Sequence, residues 1–91
     1  MARDLDALRK EIRATDRAIL QLIAKRMKVA QRIGAAKRAQ GLPTRNYDIE
    51  AQIIREARQL CRKYRIDQDL GEDLMRTLIR ASVQAQENHR T

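Results

Sequence analysis

The stretch that decides the fold is residues 5–39, LDALRKEIRATDRAILQLIAKRMKVAQRIGAAKRA, which has no proline and one glycine, Gly34. Its apolar residues recur at spacings of three, four and seven, the periodicity of one long amphipathic helix. They are Leu5, Leu8, Ile12, Ile19, Ile23, Ala30 and Ile33. Such a helix extends roughly 50 Å, whereas a compact domain of this length has a radius of gyration of only ~12 Å. Its apolar stripe would stay wet in a single chain, so the sequence predicts a twofold dimer.

Two shorter helices follow this long one. Gly41 and Pro43 are expected to end the first helix, and Asn46 is a good N-cap for a second helix over 47–64. Asp67 is expected to cap a third helix. The apolar residues of that helix are Leu70, Leu74, Leu78, Ala81 and Ala85. We therefore predict an all-α fold, with one long and two shorter helices forming a single domain over residues 1–91 and intertwined with a second chain.

The composition supports this fold and excludes several classes. The 91 residues include 43% hydrophobic but only 2% aromatic side chains, which argues against a β-sandwich. We expect no membrane span and no signal peptide, because apolar runs are short and the first residues are charged. The single Cys61, expected in the core, allows no internal disulfide, and we expect a cytoplasmic protein. One histidine, His89, leaves no Cys/His metal site and no Ser-His-Asp triad.

Three cations lie within the apolar stripe of the first helix. Plotted at ~100° per residue, Arg9, Arg26 and Lys37 fall on the stripe instead of opposite it. A buried cation requires an anionic partner, unless it reaches water from the edge of the stripe or pairs with Asp16. Arg26 and Lys37 are roughly 16 Å apart along the axis and could grip one small molecule. Arg9 is roughly 25 Å from Arg26 and can join only from the other subunit of an antiparallel pair.

The two shorter helices carry three more polar residues near their apolar faces. Glu50 could be an ordinary first-turn carboxylate at the positive helix end, and Ser82 and Gln86 an ordinary pair at a helix edge. Together with the cations they outline a pocket for a small dianion that carries a hydroxyl. The pocket offers no nucleophile, metal or histidine base. An enzyme of this kind would need no cofactor and would work by restraining a conformation and stabilising charge.

The pattern as a whole resembles the all-α chorismate mutases. The residues that carry the likeness are 8–12 (LRKEI), Asp16, Leu20, Leu22, 25–26 (KR), Ala30, 33–34 (IG), Lys37, Pro43, Glu50 and 82–86 (SVQAQ). The resemblance implies an intertwined homodimer that converts chorismate to prephenate by a cofactor-free Claisen rearrangement in aromatic amino-acid biosynthesis. It also implies that Arg26 binds a carboxylate of the substrate and that Arg9 of the partner subunit clamps the carboxylates. Lys37 and Gln86 would donate hydrogen bonds to the ether oxygen.

At the ring end of the pocket the resemblance is less complete. It implies that Glu50 accepts a hydrogen bond from the ring hydroxyl, helped by the backbone at Asn46, while Ser82 supports the ring carboxylate. The family commonly has Asp and Arg where this chain has Asn46 and Ile49. Loss of that arginine predicts weaker or shifted substrate binding, unless Arg45 swings in to compensate.

Other functions remain as alternatives. An isochorismate pyruvate-lyase would share the basic positions but tends to lack the equivalents of Glu50 and Ser82. A 4-amino-4-deoxychorismate mutase would differ at the ring end. A regulatory partner of the first synthase of the shikimate pathway is a third alternative. The formal charge of +8 also fits a nucleic-acid-binding dimer, which is disfavoured by scattered basic residues and the lack of an aromatic stacking platform.

Overall fold

The computed structural model of the protein describes residues 2–88, with side chains from residue 4 onward. It contains three helices and, within those residues, no strand: α1 (Ala2–Ala39), α2 (Tyr47–Tyr64) and α3 (Gln68–Asn88). The predicted all-α class is therefore confirmed, while His89 lies outside the described residues. None of the three helices has an apolar stretch long enough to cross a bilayer.

The long helix α1 extends beyond the rest of the chain. The described residues measure 59 × 27 × 14 Å, with a radius of gyration of 16.8 Å, well above the ~12 Å of a compact domain. On the predicted stripe, Leu8 and Ile12 are 59% and 61% exposed. Only Ala30, near the other end of the stripe, is buried. One chain therefore leaves the amino-terminal part of the stripe uncovered, as its length predicted.

Helix α3 holds the fold together, because it packs against both α1 and α2 while α1 and α2 do not pack against each other. The buried apolar residues are accordingly few and come from all three helices. They are Ala30, Ile54, Cys61 and Ile79. Each of the first two helices is thus fixed in the chain mainly through its contact with α3.

The contact between α2 and α3 is very close at Gly71. A Cβ atom added there would overlap Sγ of Cys61, so glycine leaves the room that the Cys61 side chain occupies. Cys61 is buried, as predicted. The contact continues outward as an ion-pair cluster, in which Arg58 lies 2.8 Å from Glu72 and Arg76 lies 2.8 Å from the other Glu72 oxygen. Hydrogen bonds from Arg76 and Arg58 lower the pKa of the Glu72 carboxyl.

The predicted helix ends are confirmed. Gly41 has a φ of 69°, the left-handed conformation expected of a helix-terminating glycine. Asn46 caps α2, since its side-chain oxygen accepts a hydrogen bond from the backbone N–H of Ile49 at 3.2 Å. Asp67 lies just before α3 and accepts from the N–H of Asp69 at 3.4 Å. The α1–α2 connection, residues 40–46, is therefore fixed at both ends.

The end of α2 differs from these, because the left-handed position is occupied by Arg65, with φ 59°. A side chain in this conformation is strained by about 1–2 kcal/mol relative to glycine. We expect Arg65→Gly to raise the free energy of unfolding by about 0.5–1 kcal/mol in urea denaturation, after the greater chain entropy of glycine is subtracted. Arg62→Gly, within the helix, should lower it by about 1 kcal/mol. Destabilisation by Arg65→Gly would contradict the argument.

Candidate active site

A cavity of about 340 Å³ lies where the carboxyl-terminal half of α1 meets the start of α2 and the end of α3. Six of the seven residues predicted to form the site line it, and they come from all three helices and the 40–46 connection. They are Arg26, Lys37, Asn46, Glu50, Ser82 and Gln86. Apolar side chains, including Ile33, Ile53 and Val83, form the rest of the wall. The helix faces selected by the periodicity of the sequence therefore meet at this cavity.

Arg26 points toward α3, and not out to water. Its Nη1 donates to Oγ of Ser82 at 2.5 Å and to the backbone oxygen of Leu78 at 3.3 Å. Ser82 is buried, and its hydroxyl in turn donates to the Leu78 oxygen at 2.8 Å. The guanidinium has five donors, so these contacts fix its orientation while other N–H groups are left for an anion in the cavity.

Lys37 is held from two sides at the other end of the cavity. Its Nζ donates to the backbone oxygen of Thr44 at 2.6 Å and to Oε1 of the buried Gln86 at 3.3 Å. An ammonium group has three donors, so one remains for a ligand. Because the Gln86 carbonyl accepts from Lys37, its NH₂ group remains a donor. The two side chains therefore present neighbouring N–H donors.

Gln86 keeps this place because α1 and α3 approach closely at Gly34. A Cβ atom on Gly34 would lie 2.8 Å from Cγ of Gln86 and 3.2 Å from its Cβ, both closer than van der Waals contact. Arg38 adds a hydrogen bond from Nη1 to the Gln86 backbone oxygen at 3.4 Å. Gly34 therefore permits both the close packing of α1 on α3 and the position of Gln86 at the cavity.

Glu50 lies on the wall of the cavity but is bound from outside it. Arg45 forms a two-point contact with its carboxylate, with N–O distances of 2.6 and 3.1 Å. The same guanidinium lies 4.6 Å from the ring centre of Tyr47, and its hydrogen bond with Glu50 raises the pKa of Arg45. Arg45 does not line the cavity, whereas Ile49 does. In this structure Arg45 therefore does not supply the positive charge that an arginine at position 49 would bring to the cavity.

The charge of the cavity is positive. Among residues 4–88, no carboxylate forms an ion pair with Arg26 or Lys37, and the charge of Glu50 is already balanced by Arg45. Asp16 was considered from the sequence as an internal partner for these cations. It lies instead in a shallow surface depression in the amino-terminal half of α1, together with Arg13 and Arg17. Two cations thus remain for a ligand, which fits a small molecule with two negative charges.

Arg9 is the one predicted site residue that a single chain does not bring to the cavity. Its side chain is 62% exposed and lies 3.9 Å from Asp6, near the start of α1. The structure therefore agrees with the axial separation calculated from the sequence. A role for Arg9 at the site requires a second chain.

Comparison with known proteins agrees with this geometry. The profile of the family described as chorismate mutase type II matches residues 8–87, which is nearly the whole chain. The chain belongs to the type II chorismate mutase family. The predicted family resemblance is thereby confirmed, and the matched range includes Arg9 and all six residues that line the cavity.

Individual relatives give the same picture. The chain is 32% identical over 79 residues to the chorismate mutase of Methanocaldococcus jannaschii, covering 87% of this chain and 80% of that protein. It is 34% identical over 82 residues to the T-protein of Enterobacter agglomerans and 37% identical over 78 residues to that of Haemophilus influenzae. These matches cover 90% and 86% of this chain but only 22% and 21% of the T-proteins. The chain thus spans about a fifth of the length of the T-proteins.

Proposed function

We propose that the protein is a chorismate mutase that rearranges chorismate to prephenate. The observation that carries the proposal is the convergence of Arg26, Lys37, Glu50, Ser82 and Gln86 on one cavity with two unpaired cations. Chorismate is a dianion with a ring hydroxyl and an ether oxygen, so it has a group for each of these side chains. Membership of the type II chorismate mutase family supports the same substrate class.

The reaction requires restraint and charge stabilisation, and no proton transfer. In one concerted step the ether C–O bond breaks while a C–C bond forms, and electron density increases at the ether oxygen. Arg26 would hold a substrate carboxylate and thereby restrict the molecule to the folded, chair-like conformation. Lys37 and Gln86 would donate hydrogen bonds to the ether oxygen, where negative charge develops in the transition state.

The ring end of the substrate would be held by the remaining groups. Glu50 would accept a hydrogen bond from the ring hydroxyl, with the backbone at Asn46 beside it. Its ion pair with Arg45 orients the carboxylate. Ser82, which already contacts Arg26, would support the ring carboxylate. Each of the six predicted site residues that line the cavity then has a stated role.

The function is tested by following the loss of ultraviolet absorbance of chorismate and identifying the product by its chromatographic retention and its acid conversion, since the rearrangement leaves the mass unchanged. We expect prephenate and no release of pyruvate. Pyruvate formed from isochorismate would identify a lyase, and faster turnover of 4-amino-4-deoxychorismate would identify the amino-substrate mutase. Absence of turnover with all three substrates would reject the proposed enzyme class.

We further propose that the site is completed by a second copy of the chain. Burial of the exposed stripe of α1, which includes Leu8 and Ile12, would offset the cost of association. An antiparallel arrangement of two α1 helices would carry Arg9 of the partner subunit to the cavity that Arg26 and Lys37 line. The apolar stripe and the distant cation are thus explained by one dimer.

Mixing two inactive variants tests this shared site. In a mixed dimer of Arg9→Ala and Lys37→Ala chains, one site has both mutations and the other has neither. Random reassociation should therefore restore about a quarter of wild-type activity, measured after mixing at equal concentration. Two Arg9→Ala/Lys37→Ala chains mixed in the same way are the control and should stay inactive. Failure of the single variants to complement each other would rule out cross-subunit sharing.

The departure at Ile49 gives a separate prediction. This side chain lines the cavity and is half exposed, so a longer cationic side chain can enter without overpacking. We expect Ile49→Arg to lower KM for chorismate by about fivefold to tenfold, the effect of one added charge contact. Ile49→Met, which adds length without charge, should leave KM near the wild-type value. Unchanged KM and kcat in Ile49→Arg would remove the proposed cost of this departure.

A further inference from the structure

A second cavity, of about 620 Å³, lies between α2 and α3 and shares Glu50 and Ile79 with the candidate active site. Four of its lining residues are arginines, and these come from two helices and the preceding connection. They are Arg45, Arg55, Arg76 and Arg80. Among the described residues that line it, Glu50 is the only acidic one. Of its lining residues, the proposed rearrangement involves only Glu50 and Arg45, which pairs with it.

The arginines of this cavity are not equally compensated. Arg45 is paired with Glu50, and Arg76 is paired with Glu72 at 2.8 Å. Among residues 4–88, no carboxylate forms an ion pair with Arg55 or Arg80. Arg80 makes only a 3.4 Å hydrogen bond to the hydroxyl of Thr77. Two guanidinium groups from different helices therefore face one cavity without a counter-charge from the described part of the chain.

The cavity also has an uncharged wall. Ile54 and Ala51 form part of it, and Tyr47 places its ring beside Arg45. Guanidinium groups bind carboxylate and phosphate oxygens in a two-point geometry, and the apolar wall leaves room for the body of a ligand. The four arginines are themselves exposed and can therefore be reached by a ligand from solution.

We propose that the second cavity is a binding site for a small anion with at least two negative charges, of the phosphate-ester or polycarboxylate class. Arg55 and Arg80 bind the anionic groups from the two helices, and Arg45 lies at the wall that the two cavities share. A ligand with one charge would leave one of the two uncompensated cations unpaired, so the site selects for multivalent anions.

Isothermal titration at low ionic strength, where exposed charges are least screened, tests the site with three probes. Pyrophosphate represents phosphate esters, citrate represents polycarboxylates, and acetate is the monovalent comparison. We expect saturable binding of pyrophosphate, citrate or both, with one site per chain, and none of acetate. The stronger of the two probes identifies the chemical source. Acetate binding as tight as theirs, or no saturation by either multivalent probe, would overturn the proposal.

Charge-matched variants distinguish binding of the anion at this cavity from its unspecific electrostatic attraction to the basic protein. Arg55→Gln/Arg80→Gln should weaken binding of the better probe by about tenfold or more. Arg32→Gln/Arg62→Gln removes the same charge from exposed positions outside the cavities and should change binding less than about twofold. Equal weakening in both double variants would show unspecific electrostatic attraction and would reject the site.

Backbone amide shifts locate the bound anion. Ala51 and Ile54 line only the second cavity, whereas Ala30 and Ile33 line only the first. We expect the probe to shift the amide resonances of the former pair of residues, whether or not occupancy of the candidate active site also shifts those of the latter pair. Shifts confined to Ala30 and Ile33 would place the anion in the candidate active site and would overturn the proposal. This readout does not depend on enzyme activity, so it is independent of the proposed function.

Discussion

Replacement of Lys37 by alanine is expected to lower kcat for chorismate by about 10²- to 10³-fold, the usual loss when one donor to a developing negative charge is removed. The Nζ atom has a fixed place between the Thr44 oxygen and Gln86, so its remaining N–H is oriented before the substrate binds. Such an oriented donor stabilises the transition state without reorganisation. KM should change much less than kcat, because the contact strengthens mainly as the ether bond breaks.

Two controls keep this prediction specific. Lys28→Ala removes an equal charge from an exposed position of the same helix and should retain wild-type kcat. Lys37→Met keeps most of the apolar side chain and should show the same loss as alanine if the donor is the cause. Thermal unfolding of each variant establishes that it is folded. Near-normal turnover by folded Lys37→Ala would exclude Lys37 from the chemistry.

Replacement of Gly71 by alanine is expected to lower the free energy of unfolding by about 2–3 kcal/mol, at the upper end of the cost of overpacking a core. The added methyl group would overlap Sγ of the buried Cys61. Either this sulfur or one of the helices would have to shift, which would weaken the contact that anchors α2. Urea denaturation of the single variant measures this loss.

The identity of the clashing atom permits a sharper test. In a Cys61→Ala background the sulfur is absent, and the nearest remaining atom, the Cβ atom of residue 61, lies 3.6 Å from the added methyl group, which is ordinary van der Waals contact. Gly71→Ala should then stabilise the protein by up to about 1 kcal/mol, because alanine favours the helix over glycine. The sign of the effect should reverse between the two backgrounds. If Gly71→Ala destabilises both equally, the Cys61 contact is not the cause.

The sequence predicted the helices and most of the site because both depend on helical spacing. Gly41 marked the end of α1, and Asn46 marked the start of α2. The angular positions of Arg26 and Lys37 placed them on the packed side of α1. Convergence on the cavity followed once three helices had to share a core. The sequence also predicted that one chain could not bring Arg9 to the cavity, because Arg9 is too far from Arg26 along the axis of α1.

What the sequence did not predict depends on backbone geometry and on contacts between distant residues. The Thr44 oxygen that holds Lys37 is a main-chain group, and main-chain acceptors have no signature in the amino-acid sequence. The left-handed Arg65 has a residue type that ordinarily avoids this conformation, so the exit from α2 could not be read from a glycine. The ion pair of Arg45 with Glu50 depends on the path of the 40–46 connection, which the amino-acid sequence does not determine by a recognisable pattern.

The position of α3 between the other two helices has a consequence for synthesis on the ribosome. Within one chain α1 and α2 make no packing contact with each other, so a nascent chain that ends before Gln68 has no pair of helices to dock. Ser82 and Gln86, which complete the cavity wall, lie on α3 and leave the exit tunnel after the first two helices. Within one chain, neither α1 nor α2 can therefore dock before α3 has emerged.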